Sequence, residues 1–165
     1  MKKFKKVMLI YGGISSEREI SIISSKEIAN SLVNLGYDLI KIDANKSLKL
    51  EIEKHLPDVI FNALHGTWGE DGEVQKIIEE AGVPYTNSGI EASSLAMDKH
   101  RSSIEFIKNS IPYPKTYLYS MKDFQNNNIF DYPFVIKPRN EGSSVGVAII
   151  HSIKDKELYI KKNID

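Results

Sequence analysis

The 165-residue sequence contains no cysteine. Disulfide bonds, thiolate metal sites and a cysteine nucleophile are therefore excluded from this chain, and the absence fits a reducing cytosol. The 22 basic and 22 acidic residues cancel, so bulk charge indicates neither a nucleic-acid partner nor a membrane partner. No apolar stretch approaches the roughly 20 residues of a membrane-spanning helix.

Several common binding signatures are also missing. The sequence has no Walker A motif, and Gly12 and Gly13 do not fit a Gly-x-Gly-x-x-Gly fingerprint. These absences disfavour an ordinary P-loop or dinucleotide-binding protein. The closely spaced Glu70, Asp71 and Glu73 lack the alternating oxygen ligands of an EF-hand loop, so we predict no calcium site there.

The first part of the sequence alternates between strand and helix patterns. Near-continuous apolar runs are typical of buried parallel strands, and stretches with helical spacing separate them. The predicted strands are 7–11, 37–42, 59–64 and 83–86, and the predicted helices are about 16–35, 48–56 and 74–81. This order predicts an α/β domain over residues 1–92 with a doubly wound parallel sheet. Ligands of such sheets bind beyond the carboxyl ends of the strands, where the loops 12–17 and 65–73 lie.

The pattern changes near Gly89, and residues 93–165 are interpreted as the start of an α+β domain. The predicted elements are a helix over 93–107 with a bend at 97–99, a strand over 115–119, a hairpin of 134–136 and 145–150, and a helix from 152. This block is too short to build a complete core of its own. We therefore expect its hairpin to present an apolar face with little to cover it.

Glu17 and His65 lie in the two loops at the predicted ligand edge. A glutamate in a first helical turn is favourable through the helix dipole alone, by a few tenths to about 1 kcal/mol. Alternatively, its carboxylate points into a cleft and anchors an ammonium group by a bond worth about 1.5–3 kcal/mol. A single histidine is commonly a bystander. His65 is a candidate because it ends the third predicted strand and begins a loop with three glycines.

The predicted hairpin loop has the parts of a phosphate clamp. Lys137 ends an apolar strand, where lysine supplies a fixed positive charge, and Lys99 follows the predicted helix bend. Small residues let backbone N–H groups approach an anion, and serine hydroxyls add donors. An ordinary hairpin loop is the alternative, because glycine and serine fill such loops in any case. The candidate nucleotide-binding residues are Lys99, Lys137, Gly142, Ser143, Ser144 and Gly146.

Short motifs recur along the whole sequence in a fixed order. They are LIYGG at 9–13, SEREIS at 16–21, ALHG at 63–66, GEDG at 69–72, PYT at 84–86, MDK at 97–99, IKP at 136–138 and EGSSVG at 141–146. Taken in order, these segments resemble the D-alanine–D-alanine ligase family of the ATP-grasp superfamily. Each motif alone is moderately specific, but order and spacing together are very specific, and the resemblance covers essentially the whole chain.

The resemblance implies a cytoplasmic ligase, in a family that is often homodimeric. Such an enzyme uses ATP and Mg²⁺ to join two D-alanines through an acyl phosphate, for peptidoglycan precursors. By position, it implies that Glu17 binds the ammonium group of the first D-alanine and that His65 lies near the reacting carboxylate. Ser143 would link Glu17 to the reaction centre by hydrogen bonds. The ATP phosphates would be held by Lys99, Lys137 and the loop 142–146.

Family members continue well beyond the point that matches Asp165. The remaining part carries the adenine pocket, a closing loop, a reaction-centre arginine and the Mg²⁺ ligands, so we predict no metal ligand in this chain. If the 165 residues are the entire product, we expect no catalysis. The alternatives are an inactive remnant or binding fragment, a D-alanine–D-lactate ligase, and another carboxylate–amine ligase of this fold. The contexts of Glu17 and His65 disfavour the last.

Overall fold

The computed structural model describes residues 4–126, 131–142 and 144–163. The chain forms two compact units, Met1–Met97 and Asp98–Asp165. The sequence pattern places the domain boundary after residue 92, whereas the division between the two units falls between Met97 and Asp98. The functional limits of the two domains stay a prediction.

A three-stranded parallel sheet forms the centre of the first unit. Its strands are β1 (Lys6–Gly12), β2 (Asp38–Ala44) and β3 (Val59–Asn62), in the order β2–β1–β3. In β1, Met8 and Ile10 belong to one core cluster and Leu9 to another. Because successive strand side chains point to opposite faces, the sheet is buried on both sides. The expected doubly wound α/β architecture is confirmed.

Helices cover both faces of this sheet. They are α1 (Arg18–Asn34), α2 (Leu48–His55) and α3 (Glu73–Glu80), and α4 (Ile90–Met97) packs against α3. The buried residues of α1 are small, namely Ser21, Ser25 and Ala29, and Ala29 packs with Leu9. The helices α2 and α3 supply apolar side chains to the core of the opposite face: Leu48, Ile52, Val74 and Ile78.

One predicted strand is reduced to a single bridge. Within 83–86, Tyr85 forms an isolated parallel bridge with Ile60. The Ile60 N–H donates to Pro84 O at 2.9 Å, and the Thr86 N–H donates to Ile60 O at 3.0 Å. Pro84 has no N–H with which to extend the ladder. Asn87, at φ +83°, turns the chain immediately afterwards.

The second unit contains an antiparallel hairpin with helices around it. Its elements are α5 (Lys99–Lys108), α6 (Met121–Asn126), β4 (Phe134–Ile136), β5 (Ala148–Ile150) and α7 (Ile153–Asn163). The expectation that the second hairpin strand starts at 145 is wrong. The chain is still turning there, because Val145 N–H donates to Gly142 O and Val147 N–H donates to Ser144 O. Gly146 has φ +68° in this turn.

The apolar patterns of the second unit are only partly buried. The strand expected over 115–119 is absent, and that stretch is irregular. Tyr117 and Leu118 are 47% and 48% exposed there, so no buried face fixes a strand register. On the hairpin, Ile150 is buried but Val135 and Ile149 are 57% and 58% exposed. The hairpin therefore has an exposed apolar face, as the sequence predicts.

None of the helices in the described stretches has both the length and the apolar character needed to cross a bilayer.

Candidate functional site

An ion pair fixes the start of the loop between β1 and α1. Arg18 Nη1 and Nη2 donate to the two carboxylate oxygens of Asp43 at 2.7 and 2.5 Å. The hydrogen-bonded guanidinium lowers the pKa of Asp43 from its ordinary value. Gly12 fits here because its φ is +75° and a Cβ atom would collide with Asp43 Oδ1. Arg18 Nη1 also donates to Gly13 O at 3.0 Å, so Arg18 joins the carboxyl ends of β1 and β2.

A buried serine joins the carboxyl ends of β1 and β3. Ser21 Oγ accepts a hydrogen bond from Gly12 N at 2.8 Å and donates to Ala63 O at 2.6 Å. Ser21 lies in the first turn of α1. The start of this helix is therefore fixed to both strands, which places the residues just before it at the ligand edge of the sheet.

Ser15 connects the two loops at this edge. Its Oγ donates to His65 O at 2.6 Å and accepts a hydrogen bond from Glu17 N at 3.1 Å. The two bonds hold the backbone of Glu17 close to that of His65, although the loops are far apart in sequence. Sequence reasoning missed this role for Ser15, because a serine before a helix suggests only a cap.

Glu17 directs its carboxylate towards the second loop. The residue is only 7% exposed, and its side chain accepts no capping hydrogen bond from α1. A Cβ atom on Gly66 would lie 3.0 Å from Glu17 Oε1, so glycine at 66 permits the close approach. The geometry favours a carboxylate at the ligand edge over a side chain that only caps the helix.

Glu17, His65 and Glu70 form a cluster. One ligand atom from each of them lies within 4.8 Å of the others. Glu70 Oε2 accepts a hydrogen bond from Gly66 N at 2.6 Å, and Ser24 Oγ lies 3.4 Å from His65 Nε2. The sequence-based site did not include Glu70. Its position five residues after His65 in a glycine-rich loop was the available signal.

Buried amides and a carboxylate shape the rest of the 65–73 loop. Asn62 Nδ2 and Gln75 Nε2 both donate to Gly69 O at 3.0 Å. Asp71 Oδ2 accepts a hydrogen bond from Trp68 N at 2.7 Å. These bonds fix the path of the backbone between His65 and α3. They therefore stabilise the loop that carries His65 and Glu70.

The second unit is organised around a salt bridge at the start of α5. Asp98 accepts hydrogen bonds from His100 N and Arg101 N at 3.1 Å, as an N-cap. Arg139 Nε and Nη2 donate to its two oxygens at 2.9 and 2.5 Å. The hydrogen-bonded guanidinium of Arg139 holds the pKa of Asp98 well below its usual range. This salt bridge fixes α5 to the segment after β4.

Lys99 and Lys137 form the positive part of this segment. Lys99 Nζ donates to the backbone oxygens of Arg139 and Glu141. Burial lowers the pKa of Lys99 from its ordinary value, and the positive charge of Lys137 lowers it further. Lys137 directly follows β4 and is exposed. An anion would relieve the repulsion between these two cations.

The remaining candidate residues lie in the turn between β4 and β5. Gly142 is half-buried, and Ser144 and Gly146 are exposed. Ser144 and Gly146 have φ of +61° and +68°. A Cβ atom on Gly146 would lie 2.6 Å from Pro138 Cγ, so glycine fits the turn there. Ser143, which the sequence analysis singled out, lies outside the described residues.

The sequence and the fold of the chain are both similar to those of known proteins. The family model described as "D-ala D-ala ligase N-terminus" matches residues 45–88. A D-alanine–D-alanine ligase of Ruegeria sp. (strain TM1040) is 43% identical over 146 residues, which is 88% of this chain and 48% of that protein. The chain belongs to the D-alanine–D-alanine ligase family. It matches the N-terminal part of that family and spans about half the length of the curated relatives it matches.

Solved structures of D-alanine–D-alanine ligases also match the fold. The ligase of Bacillus anthracis superposes with a TM-score of 0.77 at 30% identity, over 97% of this chain and 53% of that chain. The same ligase complexed with ATP gives a TM-score of 0.75 at 27% identity, over 96% of this chain and 54% of that chain. A D-Ala:D-Ser ligase of Enterococcus faecalis, VanG, gives a TM-score of 0.72 at 25% identity, over 96% of this chain and 59% of that chain.

The two parts of the ligase signature fall in different units of the chain. Glu17 and His65 lie in the first unit, with Glu70 beside them. The described candidates for ATP, which are Lys99, Lys137, Gly142, Ser144 and Gly146, lie in the second. Within each unit, the structure brings together residues that the sequence separates by about 40 or more positions.

Proposed function

We propose that this chain forms the amino-acid-binding N-terminal part of a ligase that joins two D-alanines at the expense of ATP. In this proposal, Glu17 binds the ammonium group of the first D-alanine. The supporting observation is that the buried Glu17 carboxylate lies beside His65 at the carboxyl ends of β1 and β3. A charge-assisted bond is strong in a site that is largely removed from water.

His65 is proposed to lie near the carboxylate of the same amino acid. An imidazole N–H can donate to a carboxylate oxygen, and the backbone bond from Ser15 fixes the position of His65. Two contacts at opposite ends of a small amino acid would orient it. Orientation of reacting groups can supply about 7–11 kcal/mol of a barrier.

The second unit is proposed to bind ATP through Lys99, Lys137 and the loop 142–146. ATP supplies the phosphoryl group that converts the carboxylate of D-alanine into a reactive acyl phosphate. The two lysines supply positive charge for its phosphates, and the lowered pKa of Lys99 reflects their mutual repulsion as well as burial. Ser143 is proposed to connect Glu17 to the reaction centre.

Magnesium ligands are not assigned to this chain. Mg²⁺ prefers octahedral oxygen ligands. The one three-residue group found among the described residues contains His65, which does not fit that preference. The Mg²⁺ that the family implies would therefore depend on residues other than this group. A cytoplasmic location and a homodimer are likewise proposed from the family alone.

The proposal is tested by titrating D-alanine into the purified chain by calorimetry. Glu17→Gln keeps the size of the side chain but removes its charge, so we expect D-alanine binding to weaken by about 10-fold or more. Glu19→Gln is the matched control, because Glu19 is exposed in the first turn of α1, and its affinity should equal that of the wild type. Equal affinity of the wild type and Glu17→Gln would contradict the assignment.

A catalytically inactive binding fragment is the second candidate. Phosphate release on incubation of the chain with D-alanine, ATP and Mg²⁺ would exclude it. The second substrate stays open between D-alanine and an analogue such as D-lactate, since a D-Ala:D-Ser ligase has a similar fold.

A further inference from the structure

The cluster of Glu17, His65 and Glu70 has the donor set of a transition-metal site. It offers two carboxylates and one imidazole, whose ligand atoms lie within 4.8 Å of one another. Zn²⁺ binds such donors at about 2.0–2.2 Å, and tetrahedral ligands are then about 3.4 Å apart. The three atoms need to approach one another by at most about 1.4 Å to enclose one ion.

The surrounding structure supports that small adjustment. Glu70 is exposed, and one of its oxygens is held by Gly66 N. This bond orients the carboxylate in the way that outer hydrogen bonds orient metal ligands. The backbones of Glu17 and His65 are fixed to each other through Ser15. The chain therefore holds the residues that carry two of the three ligand atoms close together, and a hydrogen bond orients the third ligand.

The donor types select the class of ion. Borderline ions such as Zn²⁺ accept imidazole together with carboxylate, whereas Mg²⁺ and Ca²⁺ prefer oxygen ligands alone. Three protein ligands also leave a fourth tetrahedral position open, as in exchangeable zinc sites. We propose that Glu17, His65 and Glu70 bind one divalent transition-metal ion, for which Zn²⁺ is the probe. This site does not depend on the proposed function.

A consequence of the site does rest on the proposed function. If Glu17 binds the ammonium group of D-alanine, the ion and the amino acid use the same carboxylate and exclude each other. Transition-metal ions of this class then act as competitive inhibitors of amino-acid binding. The site would make the protein sensitive to free Zn²⁺ through a group that serves the substrate.

Calorimetric titration of the metal-free chain with Zn²⁺, in a buffer that does not chelate metals, tests the site. Trp68, the single tryptophan of the chain, lies in the loop between His65 and Glu70 and gives a fluorescence signal. We expect one equivalent to bind, and Mg²⁺ to bind far more weakly. Glu17→Gln, His65→Gln and Glu70→Gln should each lower the Zn²⁺ affinity by about 10-fold or more.

Matched variants separate this site from adventitious surface binding. His55 Nε2 lies 3.3 Å from Glu51 Oε2 on α2 and forms an alternative histidine–carboxylate pair. Glu73 is an exposed acid at the start of α3, close in sequence to Glu70. His55→Gln and Glu73→Gln should retain the wild-type affinity, with far-UV circular dichroism confirming the fold of every variant. Wild-type affinity in His65→Gln, or equal losses in the two controls, would overturn the proposal.

Competition with D-alanine distinguishes the metal site from the proposed function. An increase in the apparent Kd for Zn²⁺ with D-alanine concentration supports both. Zn²⁺ binding that needs the three residues but ignores D-alanine supports the metal site and contradicts the ammonium assignment. D-alanine binding that needs Glu17, in a chain that does not bind Zn²⁺, overturns the metal site and leaves the proposed function standing.

Discussion

The hydroxyl of Ser15 is the smallest group on which the proposed amino-acid site depends. It bonds to the backbones of Glu17 and His65, and the His65 bond spans 50 positions of sequence. A single intramolecular hydrogen bond contributes only about 1 kcal/mol to stability. Its effect on the site is larger than its effect on the fold, because it fixes the distance between two loops.

Ser15→Ala is therefore expected to weaken D-alanine binding by about 3- to 10-fold, while the free energy of unfolding falls by only about 1–2 kcal/mol. Calorimetry and urea unfolding measure the two effects. Ser16→Ala alters the exposed neighbouring serine and should change neither. Ser15→Thr retains the hydroxyl and should recover most of the binding. If Ser15→Ala and Ser15→Thr bind D-alanine equally well, the positioning role is wrong.

At the scale of elements, the start of α5 depends on Asp98. This carboxylate caps the helix and binds Arg139, and it is only 8% exposed. Arg139 holds the pKa of Asp98 below that of the unfolded chain. The unfolded state therefore takes up a proton first as the pH falls. The stabilisation is complete above the ordinary aspartate pKa and is lost progressively below it.

Asp98→Asn tests this linkage. Between pH 7 and pH 3, the wild type should lose about 1 kcal/mol of stability through this carboxylate, and the variant should not. The measurement is urea unfolding at both pH values, monitored through the NMR signals of α5. Asp131→Asn removes an exposed carboxylate of the same unit and should keep the wild-type pH dependence. The same pH dependence in Asp98→Asn would show that the ion pair contributes nothing.

At the scale of the whole molecule, the sequence predicts the strands of the first unit because their burial is local and continuous. The apolar runs at β1 and β3 are buried on both faces and need no partner information. The strand predicted from the alternating side chains at 115–119 does not form. A period of two indicates a strand only where one face is buried, and Tyr117 is 47% exposed.

The candidate site was predictable only where its residues stand in motifs. His65 directly follows one predicted strand and Glu17 ends the loop after another, so the carboxyl-edge rule locates both. Ser15, Glu70 and the partner of Asp98 depend on contacts between distant segments, and a single sequence does not reveal such contacts. The close spacing of Glu70 to Asp71 and Glu73 invites comparison with a calcium loop and does not indicate that Glu70 lies near His65.

The two loops at the carboxyl ends of β1 and β3 are proposed to hold D-alanine. The most direct test is a titration of the isotope-labelled chain with D-alanine, followed by backbone amide NMR. We expect saturable shifts centred on the amides of residues 15–18 and 65–70, and we expect Glu17→Gln to abolish them. Saturable shifts that leave both loops unchanged, or that persist in Glu17→Gln, would contradict it.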